Sequence, residues 1–78
     1  MNTDMMKKTI WEICRKTDAS VDFTADNLVD GKMLDSIDLV EIVSEIMEVF
    51  DIDIPYEEII PENFNSIDAM VRLVEKYE

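Results

Sequence analysis

The feature that most constrains the fold is a helical repeat over residues 36–50. Apolar side chains recur there three and four residues apart, which places them on one face of an α-helix. They are Leu39, Ile42, Val43, Ile46, Val49 and Phe50. The opposite face carries mostly acids. The pattern predicts an amphipathic helix from Ser36 to Phe50, and its apolar face must be buried against other elements.

Two further helices are predicted near the ends of the chain. The first covers about residues 4–17, with Thr3 as its N-cap, and its apolar face is formed by Met6, Ile10, Ile13 and Cys14. The last begins after the N-cap Ser66, and its face is formed by Ile67, Met70, Val71, Val74 and Tyr77. Between helices two and four, Pro61 interrupts residues 56–64, so this segment has room for only a short third helix.

Residues 18–35 form an unusually long connection for a small domain. We expect four apolar side chains to pin it to the core, namely Val21, Phe23, Leu28 and Val29. Gly31 is the only glycine, and we expect it to supply a positive φ. No segment has the pattern of a strand pair. The sequence therefore predicts one all-α domain over residues 1–78, a small four-helix bundle with three main helices, one short helix and a long loop between helices one and two.

The composition excludes several classes of function. The chain has 19 Asp and Glu against seven Lys and Arg, a net charge of −12, so a nucleic-acid partner is not expected. It has no histidine and one cysteine, which argues against zinc sites, catalytic triads and disulfides. We predict no catalytic residue and no metal site. Without a long apolar run or a signal peptide, we expect a cytoplasmic monomer that does not insert into membranes.

Ser36 is the most distinctive polar residue, because it lies at the start of helix two between Asp35 and Ile37. One interpretation is structural, with Asp35 or Ser36 capping the helix. The other is chemical. Since the chain has no histidine, Ser36 cannot be activated as in a serine hydrolase, and another enzyme would have to use its hydroxyl.

The Asp35-Ser36-Ile37 triplet opening the second helix of a small acidic domain resembles the acyl and peptidyl carrier proteins. The resemblance covers nearly the whole chain. It implies that Ser36 carries a 4′-phosphopantetheine arm, which a phosphopantetheinyl transferase attaches from coenzyme A. It also implies partners that load or process acyl or aminoacyl groups and that present basic docking patches. The recognition surface implied for them comprises Asp35, Ile37, Asp38, Val40, Glu41, Ser44, Met47 and Glu48.

The sequence does not decide which group the arm would carry, here called the cargo. Asp38-Leu39-Val40-Glu41 and Asp53-Ile54-Pro55 are similar to carriers of fatty-acid biosynthesis, whereas Leu34-Asp35-Ser36 is similar to D-alanyl carriers and to aminoacyl or polyketide carriers. The alternative from another class is an unmodified acidic helical module that binds a basic partner. In that case Ser36 would be only a helix cap.

Overall fold

The four helices of the protein are connected in the order that the sequence predicts. A computed structural model describes residues 2–78. Its helices are α1 (Thr3–Thr17), α2 (Ser36–Phe50), α3 (Pro61–Phe64) and α4 (Ile67–Tyr77), with a 3₁₀ turn at Tyr56–Glu58 before α3. No strand occurs within the described residues. The predicted all-α bundle of three main helices and one short helix is confirmed.

The start of α1 differs from the prediction by one residue. Its N-cap is Asn2, whose side-chain oxygen accepts a hydrogen bond from the Met5 N–H at 2.9 Å. The hydroxyl of Thr3, which was the predicted cap, instead donates to Glu75 at 3.2 Å. Asparagine ranks above threonine as an N-cap, which explains the choice between adjacent candidates. The predicted limits of α2 and the N-cap Ser66 of α4 are confirmed.

One hydrophobic core joins all four helices. Every residue predicted for the apolar face of α1 is buried, including Cys14, and Trp11 covers the edge of the core. Val49 of α2 is the exception to its predicted face, because its side chain is 49% exposed. It shares a helix face with the fully buried Ile42 but lies two turns further along, near the C-terminal end of the helix. Periodicity identifies a face without showing how far the neighbouring elements extend along it.

The long loop is held to the core as predicted, with help from a polar side chain. Phe23 and Leu28 are buried, and Phe23 packs edge-on against Trp11 with ring centroids 6.2 Å apart. Asn65, between α3 and α4, accepts hydrogen bonds from the N–H groups of Val29 and Asp30, both at 3.0 Å. Its amide also donates to the Asp30 carboxylate at 3.0 Å. The loop that leads to Ser36 is therefore fixed to the junction of α3 and α4.

The prediction that Gly31 supplies a positive φ is wrong. The positive values occur at Lys32 (66°) and Asp51 (53°). Gly31 is required for space instead, since an added Cβ would lie 2.7 Å from the carbonyl oxygen of Asn27. The Gly31 N–H donates to that same oxygen at 2.6 Å, which explains the close approach.

The end of α2 is a site where substitution should increase stability. Asp51 adopts the left-handed conformation there, and its carboxylate lies at the negative end of a helix without a basic residue in its last turn. We expect Asp51→Gly to raise the free energy of unfolding by about 1 kcal/mol, because glycine relieves the strained φ and removes the charge. Urea denaturation followed by circular dichroism measures this change. Asp51→Asn should give a smaller gain, and no gain for glycine would contradict the explanation.

The 3₁₀ turn is attached to the end of α4 through Glu58. The Glu58 carboxylate accepts hydrogen bonds from Lys76 Nζ and from the Tyr77 hydroxyl, both at 2.6 Å. The bonds from Lys76 and then Tyr77 hold the pKa of the Glu58 carboxyl below its ordinary value. The same contact with Glu58 raises the pKa of Lys76 and that of Tyr77. All three shifts favour the ionised carboxylate with a protonated lysine and tyrosine.

The stability contributed by Glu58 should therefore depend on pH. A lowered carboxyl pKa stabilises the fold above the ordinary glutamate value of about 4.3, and that contribution is lost as the pH falls through the lowered value. Raised lysine and tyrosine pKa values stabilise the fold below about pH 10, and this contribution is lost as the pH rises through the raised values. We expect Glu58→Gln to lower the urea midpoint at neutral pH and the difference to shrink at both extremes.

The exposed neighbour Glu57 provides the matched control for this measurement. Glu57→Gln removes the same charge from the same 3₁₀ turn, and the structure gives Glu57 no hydrogen bond to the end of α4. Its urea midpoint should follow that of the wild-type protein at acid and neutral pH. At alkaline pH a small difference is expected, because the Glu57 charge also contributes to the raised pKa of Tyr77. A Glu58→Gln difference that stays constant from acid to alkaline pH would contradict the assignment.

Candidate functional site

Two aspartates fix the point at which α2 begins. The Asp35 carboxylate accepts a hydrogen bond from the Asp38 N–H at 2.9 Å, and the Asp38 carboxylate accepts one from the Asp35 N–H at 3.3 Å. This reciprocal arrangement is a capping box, with aspartate in the position where glutamate is more common. Both residues belong to the predicted recognition surface. The structure gives them a further role in ordering the first turn.

Ser36 is the first residue of α2, and its side chain is exposed. Within residues 2–78 its hydroxyl forms no hydrogen bond, because Asp35 supplies the cap. By contrast, the Ser20 hydroxyl donates to Asp18 at 2.6 Å, and the Ser66 hydroxyl accepts from the Ala69 N–H. Of the two capping alternatives, the structure supports Asp35. The Ser36 hydroxyl is consequently accessible to a reagent or an enzyme.

An open groove of about 310 Å³ lies beside Ser36. Its lining combines apolar and charged side chains from the end of the loop and the first turn of α2. They are Val29, Lys32, Leu34, Asp35, Ser36 and Leu39. Leu34 and Leu39 are 3% and 8% exposed, so the apolar part is continuous with the core. A flexible group bound to Ser36 would have this groove next to it.

The outer face of α2 presents two exposed apolar side chains among carboxylates. Ile37 is 69% exposed and Val40 is 57% exposed. Glu41, Ser44 and Glu48 are exposed on the same face. Large apolar side chains on an otherwise charged helix are suited to contact with another protein. The structure thus brings five of the predicted recognition residues onto one surface.

Met47 is placed differently from these five. It is partly buried against the core, and its sulfur accepts a hydrogen bond from the Ile54 N–H at 3.4 Å.

Glu45, on the acidic face, pairs with Lys16 of α1 at 3.0 Å. Lys16, Val40 and Ser44 contribute to a second open groove of about 350 Å³ along this face.

Few other side chains in the described part of the chain could react or bind a metal ion. Cys14 is fully buried, and burial raises the pKa of its thiol to about 12. No cluster of three His, Cys, Asp or Glu side chains suited to a metal ion occurs within residues 2–78. Over the same residues, no helix combines the length and the apolar character needed to cross a bilayer.

Two residues that contribute to the loop before Ser36 could not be identified from the sequence. Asn65 lies 29 positions away, and nothing in its local sequence indicates that it binds the loop. Lys32 lies four positions before Ser36, and nothing in its local sequence indicates that its side chain lines the groove. The capping box did have a signal, because an aspartate follows Asp35 at the third position. Contacts made across the fold leave no such local pattern.

A comparison with protein families gives a match over most of the chain. The family described as "Phosphopantetheine attachment site" matches residues 7–74, from α1 to α4. Neither the curated proteins nor the solved structures include a significant match. Members of this family bear a covalent 4′-phosphopantetheine and act as carriers rather than catalysts. The residues at the start of α2 fit such a group, because an exposed and unbonded hydroxyl lies beside an open groove. The chain therefore belongs to the phosphopantetheine-attachment family of carrier domains.

Proposed function

We propose that Ser36 is the attachment residue and that the protein is a carrier of acyl or aminoacyl groups. The observation that supports this most is the free, exposed Ser36 hydroxyl at the start of a capped helix. The arm supplies a thiol that holds the cargo as a thioester. All reactions of the cargo take place in partner enzymes, and the chain contributes the anchor and the docking surface.

The attachment reaction is a phosphoryl transfer from coenzyme A. A bond forms between Ser36 Oγ and the phosphorus next to the pantetheine group, and the pyrophosphate P–O bond breaks. Adenosine 3′,5′-bisphosphate leaves, and the hydroxyl proton passes to the transferase. The N–H groups of Ser36 and Ile37 have no partner within the helix, and they favour a negative phosphodiester at this end.

The outer face of α2 is proposed as the docking surface for the transferase and the cargo enzymes. Its carboxylates attract a basic patch at long range, which speeds the encounter. The exposed side chains of Ile37 and Val40 then supply apolar contact in the docked complex. The docking surface and Ser36 belong to the same helix. A partner docked on this surface is therefore held at a fixed distance from Ser36.

Intact-protein mass spectrometry tests the attachment directly. The protein is incubated with coenzyme A, Mg²⁺ and a broad-specificity phosphopantetheinyl transferase, and its peptides are then mapped. We expect a gain of one phosphopantetheine on the peptide containing Ser36. A gain on another serine would overturn the assignment. No gain with several transferases would instead favour an unmodified acidic interaction module.

Charge reversal on α2 tests the docking surface. Glu41→Lys combined with Glu48→Lys should lower kcat/KM for the transferase about tenfold at low salt, and high salt should reduce the difference. Glu12→Lys, on the exposed side of α1, is the control and should have little effect. Glu12→Lys reverses one charge instead of two, so an effect of half the size on the logarithm of kcat/KM would show that only the net charge matters.

A further inference from the structure

Lys32 is a cation without a carboxylate partner, although the net charge is −12. Over residues 2–78, the ion pairs involve Lys7, Lys16 and Lys76, and no carboxylate oxygen lies within 4.0 Å of Lys32 Nζ. The side chain lines the same groove as Ser36. From residue 33 to residue 71 the chain has no other Lys or Arg. The groove beside Ser36 thus contains one positive charge that the protein itself leaves unpaired.

The backbone holds Lys32 in place. Its N–H donates to the Val29 carbonyl at 3.0 Å, and the next two N–H groups, of Met33 and Leu34, both donate to the Leu28 carbonyl at 2.9 Å. Its φ of 66° is unfavourable for a residue with a side chain, and these bonds maintain it. Asn65 fixes the start of the same turn. The position of Lys32 relative to Ser36 is therefore set by the fold.

The side chains of the groove are complementary to the phosphate end of the arm. 4′-Phosphopantetheine begins with a phosphodiester of one negative charge, and a branched segment with two methyl groups follows. The groove offers one cation and an apolar wall of Val29, Leu34 and Leu39, directly beside the attachment hydroxyl. Asp35 and Asp38 would repel the phosphodiester, and Lys32 offsets part of that repulsion.

We propose that this groove binds the phosphate end of the arm, with the Lys32 ammonium paired to the phosphodiester and Val29 and Leu34 in contact with the dimethyl segment. The inference rests on the proposed attachment at Ser36. It assigns Lys32 a role in holding the arm against the loop side of α2. An exposed ion pair is weak, so the arm exchanges between a bound and a free state.

Methyl NMR of the protein with and without the arm tests this inference. The arm is attached first, and mass spectrometry confirms its presence on Ser36. We expect its attachment to shift the methyl signals of Val29, Leu34 and Leu39 but not that of Met5, which does not line the groove. Lys32→Gln should reduce these shifts about two- to fivefold, as expected for a weak ion pair, and Lys32→Arg should restore them. Lys8→Gln removes the same charge from α1 and should leave the shifts unchanged.

The outcomes separate the two proposals. Absence of the arm from Ser36 in the mass spectrum would overturn both. Presence of the arm with unmoved methyl signals would overturn the groove alone. If attachment of the arm gave equal shifts in Lys32→Gln and in the wild-type protein, Lys32 would have no part in binding the arm. Added salt should also reduce the shifts in the wild-type protein that carries the arm, because salt screens the exposed pair of Lys32 and the phosphodiester.

Discussion

Replacing Ser36 by alanine is expected to abolish phosphopantetheine attachment completely while the domain stays folded. The hydroxyl is the proposed acceptor of the phosphoryl group, and its loss leaves no oxygen at that position. Because this hydroxyl forms no hydrogen bond within residues 2–78, its removal should change the free energy of unfolding by less than about 0.5 kcal/mol. Intact mass after transferase treatment and urea denaturation measure the two quantities on the same sample.

Asp35→Ala is the matched variant, with the opposite expectation for stability. It removes the capping carboxylate that binds the Asp38 N–H, which should destabilise the domain by about 1 kcal/mol. It leaves the Ser36 hydroxyl in place, so some attachment should persist. If Ser36→Ala destabilised the domain as much as Asp35→Ala, Ser36 would have a structural role that the hydrogen bonds do not show.

Phe64→Ala is expected to have the largest effect on stability. Phe64 is fully buried although it belongs to the four-residue helix α3. Truncating a buried phenylalanine costs about 3–5 kcal/mol, because apolar contacts are lost and a cavity remains. A domain of this size has a total stability of only about 4–12 kcal/mol. We therefore expect a large fall in the urea midpoint, and the variant should be partly unfolded if the total lies near the lower limit.

Tyr56→Ala is the control for this measurement. Tyr56 is an aromatic residue of the neighbouring 3₁₀ turn, but its side chain is 85% exposed. Its truncation should change the free energy of unfolding by less than about 0.5 kcal/mol. If the two substitutions lowered the free energy of unfolding equally, the burial of Phe64 would not explain how α3 is held to the core.

The parts of the structure that the sequence predicted correctly are those with a local cause. The limits of α2 follow from an apolar repeat and an N-terminal aspartate, and the burial of Cys14 follows from its place on the apolar face of α1. The errors arise where distant residues decide. The exposure of Val49 depends on how far other elements reach along α2. The left-handed conformation of Lys32 depends on bonds to Leu28 and Val29 and on a loop held by Asn65.

The proposed site divides in the same way. Ser36 could be predicted because the Asp35-Ser36-Ile37 triplet is contiguous and has a known resemblance. The exposed Ile37 and Val40 could be placed from helical geometry alone. The groove next to Ser36 could not be predicted, since its lining comes from a loop whose path is fixed across the fold. The partial burial of Met47 was missed for a related reason, because its contacts include Ile54, beyond the end of α2.

The burial of Cys14 has a consequence for the loaded carrier. Its sulfur lies 3.6 Å from the Met70 sulfur inside the core, and its thiol remains protonated at neutral pH. A protonated, inaccessible thiol neither attacks a thioester nor forms a mixed disulfide. The arm therefore introduces the only sulfhydryl that can exchange cargo, and the protein has no internal competitor for it. The folded carrier should consequently react with a maleimide in a one-to-one ratio when the arm is present and unloaded, and not at all before the arm is attached.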